Sequence, residues 1–168
     1  MRTLDVDARR YVWCKGQAVW RTSLLITGDF EDLRGAVADG QAGLARYSAR
    51  KIGQNCAIVL NLVLFYERPL PPTRMRISWA LDRLADHELG RDCAALVRAS
   101  LDTPMDELLE TTGRLVAGVR EVVGDVPNPI SPDGYFPALA TARDWLKLAE
   151  AVGEQGFLPV EWTSQEAH

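Results

Sequence analysis

Histidine is nearly missing from this chain, with only His87 and His168 present. A centre built from several histidine ligands is thereby excluded, and no Glu-x-x-His pair offers a helix-borne carboxylate metal site. No metal and no cofactor is expected. Cysteine is scarce too. Cys14, Cys56 and Cys93 stand apart, without C-x-x-C or any other ligand spacing. Such an odd set reads as small buried hydrophobes in a reducing, cytoplasmic setting rather than as a disulfide framework. The glycine-rich phosphate cradles, the nucleophile elbow and the H-E-x-x-H zinc motif are all absent. Alternation of apolar and polar residues with period two, the mark of a strand, is absent as well. No apolar run reaches the roughly 20 residues needed to cross a bilayer, so no membrane partner is expected. The opening MRTLDVDARR lacks the apolar core of an export signal. Basic excess is also lacking: the net charge is −4, which argues against nucleic acid as a partner while leaving room for a local cationic pocket.

What remains is a chain of 168 residues, 47% hydrophobic and 25% charged, enough for one domain whose core needs no metal or disulfide. The expected fold is all-α, an up-and-down bundle of five to six helices. A single helical domain should cover residues 1–158, with a loosely held tail over 159–168.

The stretch QAGLARYSARKIGQNCAIVLNLVLFYER, residues 41–68, is the longest segment that reads as one helix. Arg46, Arg50 and Gln54 recur at four-residue spacing, and Asn61 follows seven residues later, near the same face. Tyr47, Lys51 and Asn55 form a stripe beside them. From Cys56 to Tyr66 the run is apolar nearly all round, broken only by Asn61, so this half belongs in the middle of a bundle. A buried amide must hydrogen-bond. Asn61 therefore either bonds a neighbouring helix or water, or faces a polar pocket. The basic stripe is likewise either a solvated face or the cationic rim of a site for an anion.

Before this helix, residues 7–27 predict a helix capped by Asp7 and ended by Gly28, with Trp13, Gln17 and Trp20 on one face. Two tryptophans a turn apart with Gln17 between them fit either interhelix packing or a mixed pocket wall. Asp29 then caps a segment with a helix break near Gly40, or none. After it, the ERPLPPT turn stops the central helix. Helices follow over 73–85, over 88–101 after a break at Asp86–His87, from the Thr103-Pro104 start to about Val123, and from 135 or 136 to 152. Gly124 closes the third of these, and DVPNPISPDG, residues 125–134, is a loop.

The order of features resembles a known family. A helix with tryptophans precedes TGDFEDLRGAVADGQAGLARYSARKIGQNCAIVLNLVLFYERPLPP, and RMRISWALDRLADHELGRDCAALVRASL and another amphipathic helix follow. This resembles the C-terminal helical domain of small-molecule nucleotidyltransferases of the aminoglycoside-resistance type, on Asn61, Tyr66, Pro69, Arg76 and Trp79. It is also similar to the related HEPN-type bundles, although Arg83 and His87 lie closer together than in the Arg-x(4–6)-His motif of the RNases among them. The resemblance implies a helical, substrate-binding type of domain. The Gly-Ser turn and Asp-x-Asp pair of the catalytic nucleotidyltransferase domain have no counterpart here.

The expected function is therefore a stand-alone helical domain that binds a small polar or anionic molecule, or a separate catalytic protein, in the bundle. The residues expected to hold the ligand are Trp13, Gln17, Trp20, Arg46, Arg50, Gln54, Asn55 and Asn61. The alternative is a small metal-independent helical enzyme of bacterial specialised metabolism that uses the same cavity, with Lys51, Tyr66, Glu67 or His87 as proton carriers. A structural oligomer, such as a homodimer, that uses an apolar helix face and has no cavity is the third reading.

Overall fold

The computed structural model describes residues 6–66, 77–100, 102–124, 126 and 135–151, and these form helices and turns with no strand. The chain begins as one continuous rod made of α1 (Val6–Trp20), a π-helical turn (Arg21–Ile26) and α2 (Thr27–Ala38). The stop expected at Gly28 does not occur, and Asp29 does not cap a new helix. Two hydroxyls explain why. In the wide turn, Ser23 Oγ donates to the Val19 carbonyl at 2.7 Å and Thr27 Oγ1 donates to the Thr22 carbonyl at 2.8 Å. Side chains thus bond carbonyls that an ordinary helical register would pair differently, and the rod bends its ladder instead of breaking it. A lone glycine costs only about 1 kcal/mol in a helix, too little to end one held by packing on both sides.

The break comes at Gly40, whose φ of +68° lies in the region that favours glycine. Then α3 (Ala42–Leu64) crosses the molecule, followed by α4 (Ile77–Arg83), α5 (Glu88–Val97), α6 (Met105–Val123) and α7 (Tyr135–Ala151). Counting the first rod once, the described residues hold six helical rods, an all-α bundle as expected. Among these elements α3 packs against every one except α7, which lies along α1. Ile52, Cys56, Val59 and Leu60 of α3 are fully buried among Ile26, Leu33, Leu84, Leu96, Leu115 and Val119. Each such large aliphatic contributes about 1.5–3 kcal/mol on burial, so α3 is the axis of the core. A smaller cluster of Trp13, Cys14 and Leu62 joins α1 to the end of α3.

Helix ends follow local chemistry. His87 caps α5, its Nδ1 accepting from the Leu89 N–H at 3.2 Å. Gly124, at φ +64°, closes α6. The start of α6 is one residue later than the Thr103-Pro104 pattern predicts. Pro104 occupies the cap position, and Thr103 Oγ1 instead accepts from the Ser100 N–H at 3.1 Å, serving the turn rather than the helix. The expected proline turn at 67–73, the first residues of the helix predicted from 73, most of the 125–134 loop and the tail at 159–168 lie outside the described residues.

α3 and α5 approach closely at Gly53. A Cβ there would meet Leu96 Cβ at 2.9 Å and the Cys93 carbonyl oxygen at 3.1 Å. Gly53→Ala is therefore expected to destabilise the fold by about 1–3 kcal/mol through overpacking. Gly35, with open space around it, should behave oppositely, Gly35→Ala adding about 0.4–1 kcal/mol by restricting the unfolded chain. Urea denaturation of both variants checks the pair of signs, and equal signs would contradict the packing described.

Candidate functional site

A cleft of about 580 Å³ opens on the outer face of α3, where α5 ends beside it. Its lining includes Arg46, Tyr47, Arg50, Lys51 and Gln54 from α3, with Ser100 from the turn after α5. Helical spacing explains the convergence, because Arg46, Arg50 and Gln54 recur every four residues and Tyr47 and Lys51, also four apart, form the adjoining row. The strip stays at the surface because the opposite faces of α3 carry the buried Ala45, Ala49, Ile52 and Cys56.

The cations of the cleft are not equivalent. Arg46 is built into the scaffold. Its Nε donates to the Ser100 carbonyl at 2.9 Å, its Nη1 to Ala42 at 3.1 Å and its Nη2 to Thr103 at 3.5 Å. Among the described residues Arg50 donates only Nε, to the Val97 carbonyl at 3.2 Å, which leaves both terminal nitrogens without a bond there. Both arginines thus sit at the C-terminal end of α5 and its following turn, where the helix dipole and open carbonyls favour a cation. Lys51 pairs with Asp29 at 2.7 Å, and this hydrogen bond raises its pKa above the ordinary lysine value, partial burial opposing and the Asp29 charge assisting. Among the described residues the polar groups of Gln54 and Tyr47 make no hydrogen bond, and Tyr47 is 64% exposed. The cleft therefore presents one guanidinium edge, an amide, a phenol and a fixed second positive charge. That set can bind an anion and offers a flat ring for stacking.

The other sequence-predicted ligand residues lie elsewhere. Trp13 and Gln17 are buried, and Trp20 is half-buried against the main core, so the predicted aromatic wall is interhelix packing. Asn55 faces the first rod, where its Oδ1 accepts from Arg21 Nη1 at 3.2 Å. Asn61 shares the angular position of Gln54 but is fully buried, because α4 covers this end of α3. Its Nδ2 donates to the Ala57 and Ala80 carbonyls at 2.9 and 3.0 Å. Asn61 therefore bonds a neighbouring helix, and the cleft lies on the surface of the bundle rather than within it.

The candidate proton carriers do not converge. Lys51 is held by Asp29, Tyr66 packs edge-on against Tyr11 with ring centroids 5.2 Å apart, His87 caps α5, and Glu67 lies outside the described residues. The Cys56 and Cys93 thiols are buried, which pushes Cys56 well above its usual pKa and Cys93 up to about 12. Sequence reasoning did not single out Gly43, Ala99 and Ser100 as lining residues, because nothing local shows which turn will end beside α3. The position of Arg21 likewise has no local signal, because it depends on the π-helical turn.

The fold and the cleft define an all-α bundle with a cationic surface groove. No family model, no curated protein and no solved structure matches the chain. Among the described residues no helix is long and apolar enough to cross a membrane, and no group of three or more His, Cys, Asp and Glu could hold a metal ion.

The Lys51–Asp29 pair carries a pH dependence. Because the folded state raises the Lys51 pKa, the pair's contribution is complete below the unfolded value of 10.5 and is lost as pH climbs through the raised one. The stability gap between the parent and Lys51→Met is expected to be flat through neutral pH and to close above about pH 10.5. Urea denaturation at stepped pH measures it, and a gap that stays constant into that alkaline range would contradict the pairing.

Proposed function

We propose that this chain is a stand-alone helical binding domain whose cleft on α3 takes a small anionic molecule. The observation that carries the reading is the unbonded outer edge of Arg50, set in the cleft beside Gln54, Tyr47 and the fixed charge of Arg46. An exposed arginine that already anchors one nitrogen on a helix end is oriented before any ligand arrives, which lowers the ordering cost of binding. The remaining fork suits a carboxylate or a phosphate oxygen pair. A kinship with the helical domains of small-molecule nucleotidyltransferases belongs to the same proposal, supported by the all-α bundle around a long asparagine-containing helix. A cytoplasmic setting is part of it too, supported by the buried thiols of Cys56 and Cys93, which form no disulfide. The acid/base enzyme reading draws no support from Lys51, Tyr66 and His87, which are separately engaged.

A thermal-shift screen against nucleotides, amino acids, amino sugars and carboxylic acids tests the reading. A ligand present at about 100 times its Kd stabilises the fold by about 2.7 kcal/mol. At least one anionic compound is expected to raise the melting temperature of the parent, and Arg50→Ala is expected to abolish the shift. Hits that survive both Arg50→Ala and Gln54→Ala would place binding away from the cleft and overturn the proposal.

A further inference from the structure

The π-helical turn holds a second arginine whose circumstances differ from those of the cleft. Arg21 is half-buried, and no carboxylate lies within ion-pair distance of it among the described residues. Its Nη1 donates to Asn55 Oδ1 at 3.2 Å, its guanidinium stands 5.8 Å from the Trp20 ring centroid, and its Nε is sealed from solvent without an acceptor. Among the described residues Nη2 makes no hydrogen bond. Desolvation without a compensating negative charge accordingly lowers the pKa of this group. Burying a cation so incompletely satisfied costs free energy, and a protein that needed only packing here would gain by replacing it with an apolar side chain. The described residues therefore leave this charge without a negative partner.

Asn55 supplies the second half of the arrangement. Its amide oxygen is committed to Arg21, and its Nδ2 makes no hydrogen bond among the described residues, which leaves a second neutral donor. One turn earlier on the same face of α3, Lys51 carries a charge already balanced by Asp29 at 2.7 Å. The local balance is thus a single uncompensated positive charge, held by a wide helical turn that is itself a common feature of functional sites. A monoanion neutralises this charge, whereas a dianionic phosphate would leave an excess negative charge.

We infer that Arg21 and Asn55, at the π-helical turn between α1 and α2, form a binding point for a small carboxylate, distinct from the cleft at Arg50. Arg21 supplies the charge through Nη2, and Asn55 supplies the second donor while fixing the guanidinium in place. The trap is built at the expense of stability in the unliganded protein, so its signature is a residue whose removal does not weaken the fold.

Arginine side-chain NMR of the full chain tests this directly. The Nε–Hε resonances are followed while sodium acetate replaces sodium chloride at constant ionic strength, with the Arg21 signal assigned by its loss in Arg21→Lys. The Arg21 signal is expected to move saturably, the exposed Arg34 signal to move little, and the Arg21 response to persist in Arg50→Ala. Asn55→Ala should weaken the acetate response several-fold. Arg21→Met should melt at or above the parent's temperature. An Arg21 signal that moves no more than that of Arg34 would overturn the inference. So would an Arg21→Met protein that melts several degrees lower, which would make Arg21 a structural strut. Saturation by inorganic phosphate at lower concentration than acetate would overturn the carboxylate assignment.

Discussion

Burial of α3 on nearly every side is the constraint on which the rest of the molecule depends. A helix that packs against all but one of its fellow elements can spare only a narrow strip for solvent, and the charges of the segment are confined to that strip. Where α4 closes over the far end, the one polar residue of the apolar run has to be satisfied internally. Asn61 does so through its Nδ2, which donates to Ala57 within its own helix and to Ala80 across the interface, while its Oδ1 is buried without a partner among the described residues. The second bond ties α4 to α3 at a defined register, since an unpaired amide in this position would cost about 1–3 kcal/mol. The same residue type that could have lined a pocket is used here as a clamp.

Two features then shape the exposed strip. Gly53 lets α5 lie close enough for its C-terminal turn to end beside α3, and Arg46 fastens that turn by its carbonyls. The cleft is the space left over between them. On the other side of α3 the first rod answers with Asp29 against Lys51 and Arg21 against Asn55. The basic stripe is thus split by geometry into residues that hold neighbouring elements and residues whose donors face outward. Net charge says nothing of this division; only the carbonyls and carboxylates within reach of each side chain decide it.

Much of this architecture is legible in the amino-acid order. The apolar run from Cys56 to Tyr66 announces the buried half of α3, the break at Gly40 is one of the two alternatives its glycines leave open, and the junction at His87 and the close at Gly124 are where turn and cap chemistry place them. What escapes is what depends on partners distant in sequence. Gly28 reads as a terminator only while the Ser23 and Thr27 hydroxyls, which carry the rod past it, are taken as ordinary helix positions. Thr103 reads as a cap until the turn at Ser100 claims its oxygen. Trp13 and Gln17 share a face with Trp20 as their spacing requires, but spacing does not tell a pocket wall from a packed interface. Within the candidate site, Arg46, Arg50 and Gln54 are recognisable from their four-residue repeat. The unequal status of the two arginines is not, because it is set by where α5 ends.

That inequality is the claim on which the account of the cleft stands, and it is open to one direct measurement: the unfolding free energies of Arg46→Ala and Arg50→Ala, by urea denaturation in the same buffer. Arg46 spends all three of its nitrogens on backbone carbonyls, whereas Arg50 spends one. The account predicts a loss of about 2–3 kcal/mol for Arg46→Ala and less than about 1 kcal/mol for Arg50→Ala. Equal losses, or a larger loss at Arg50, would contradict it and return the whole stripe to the scaffold.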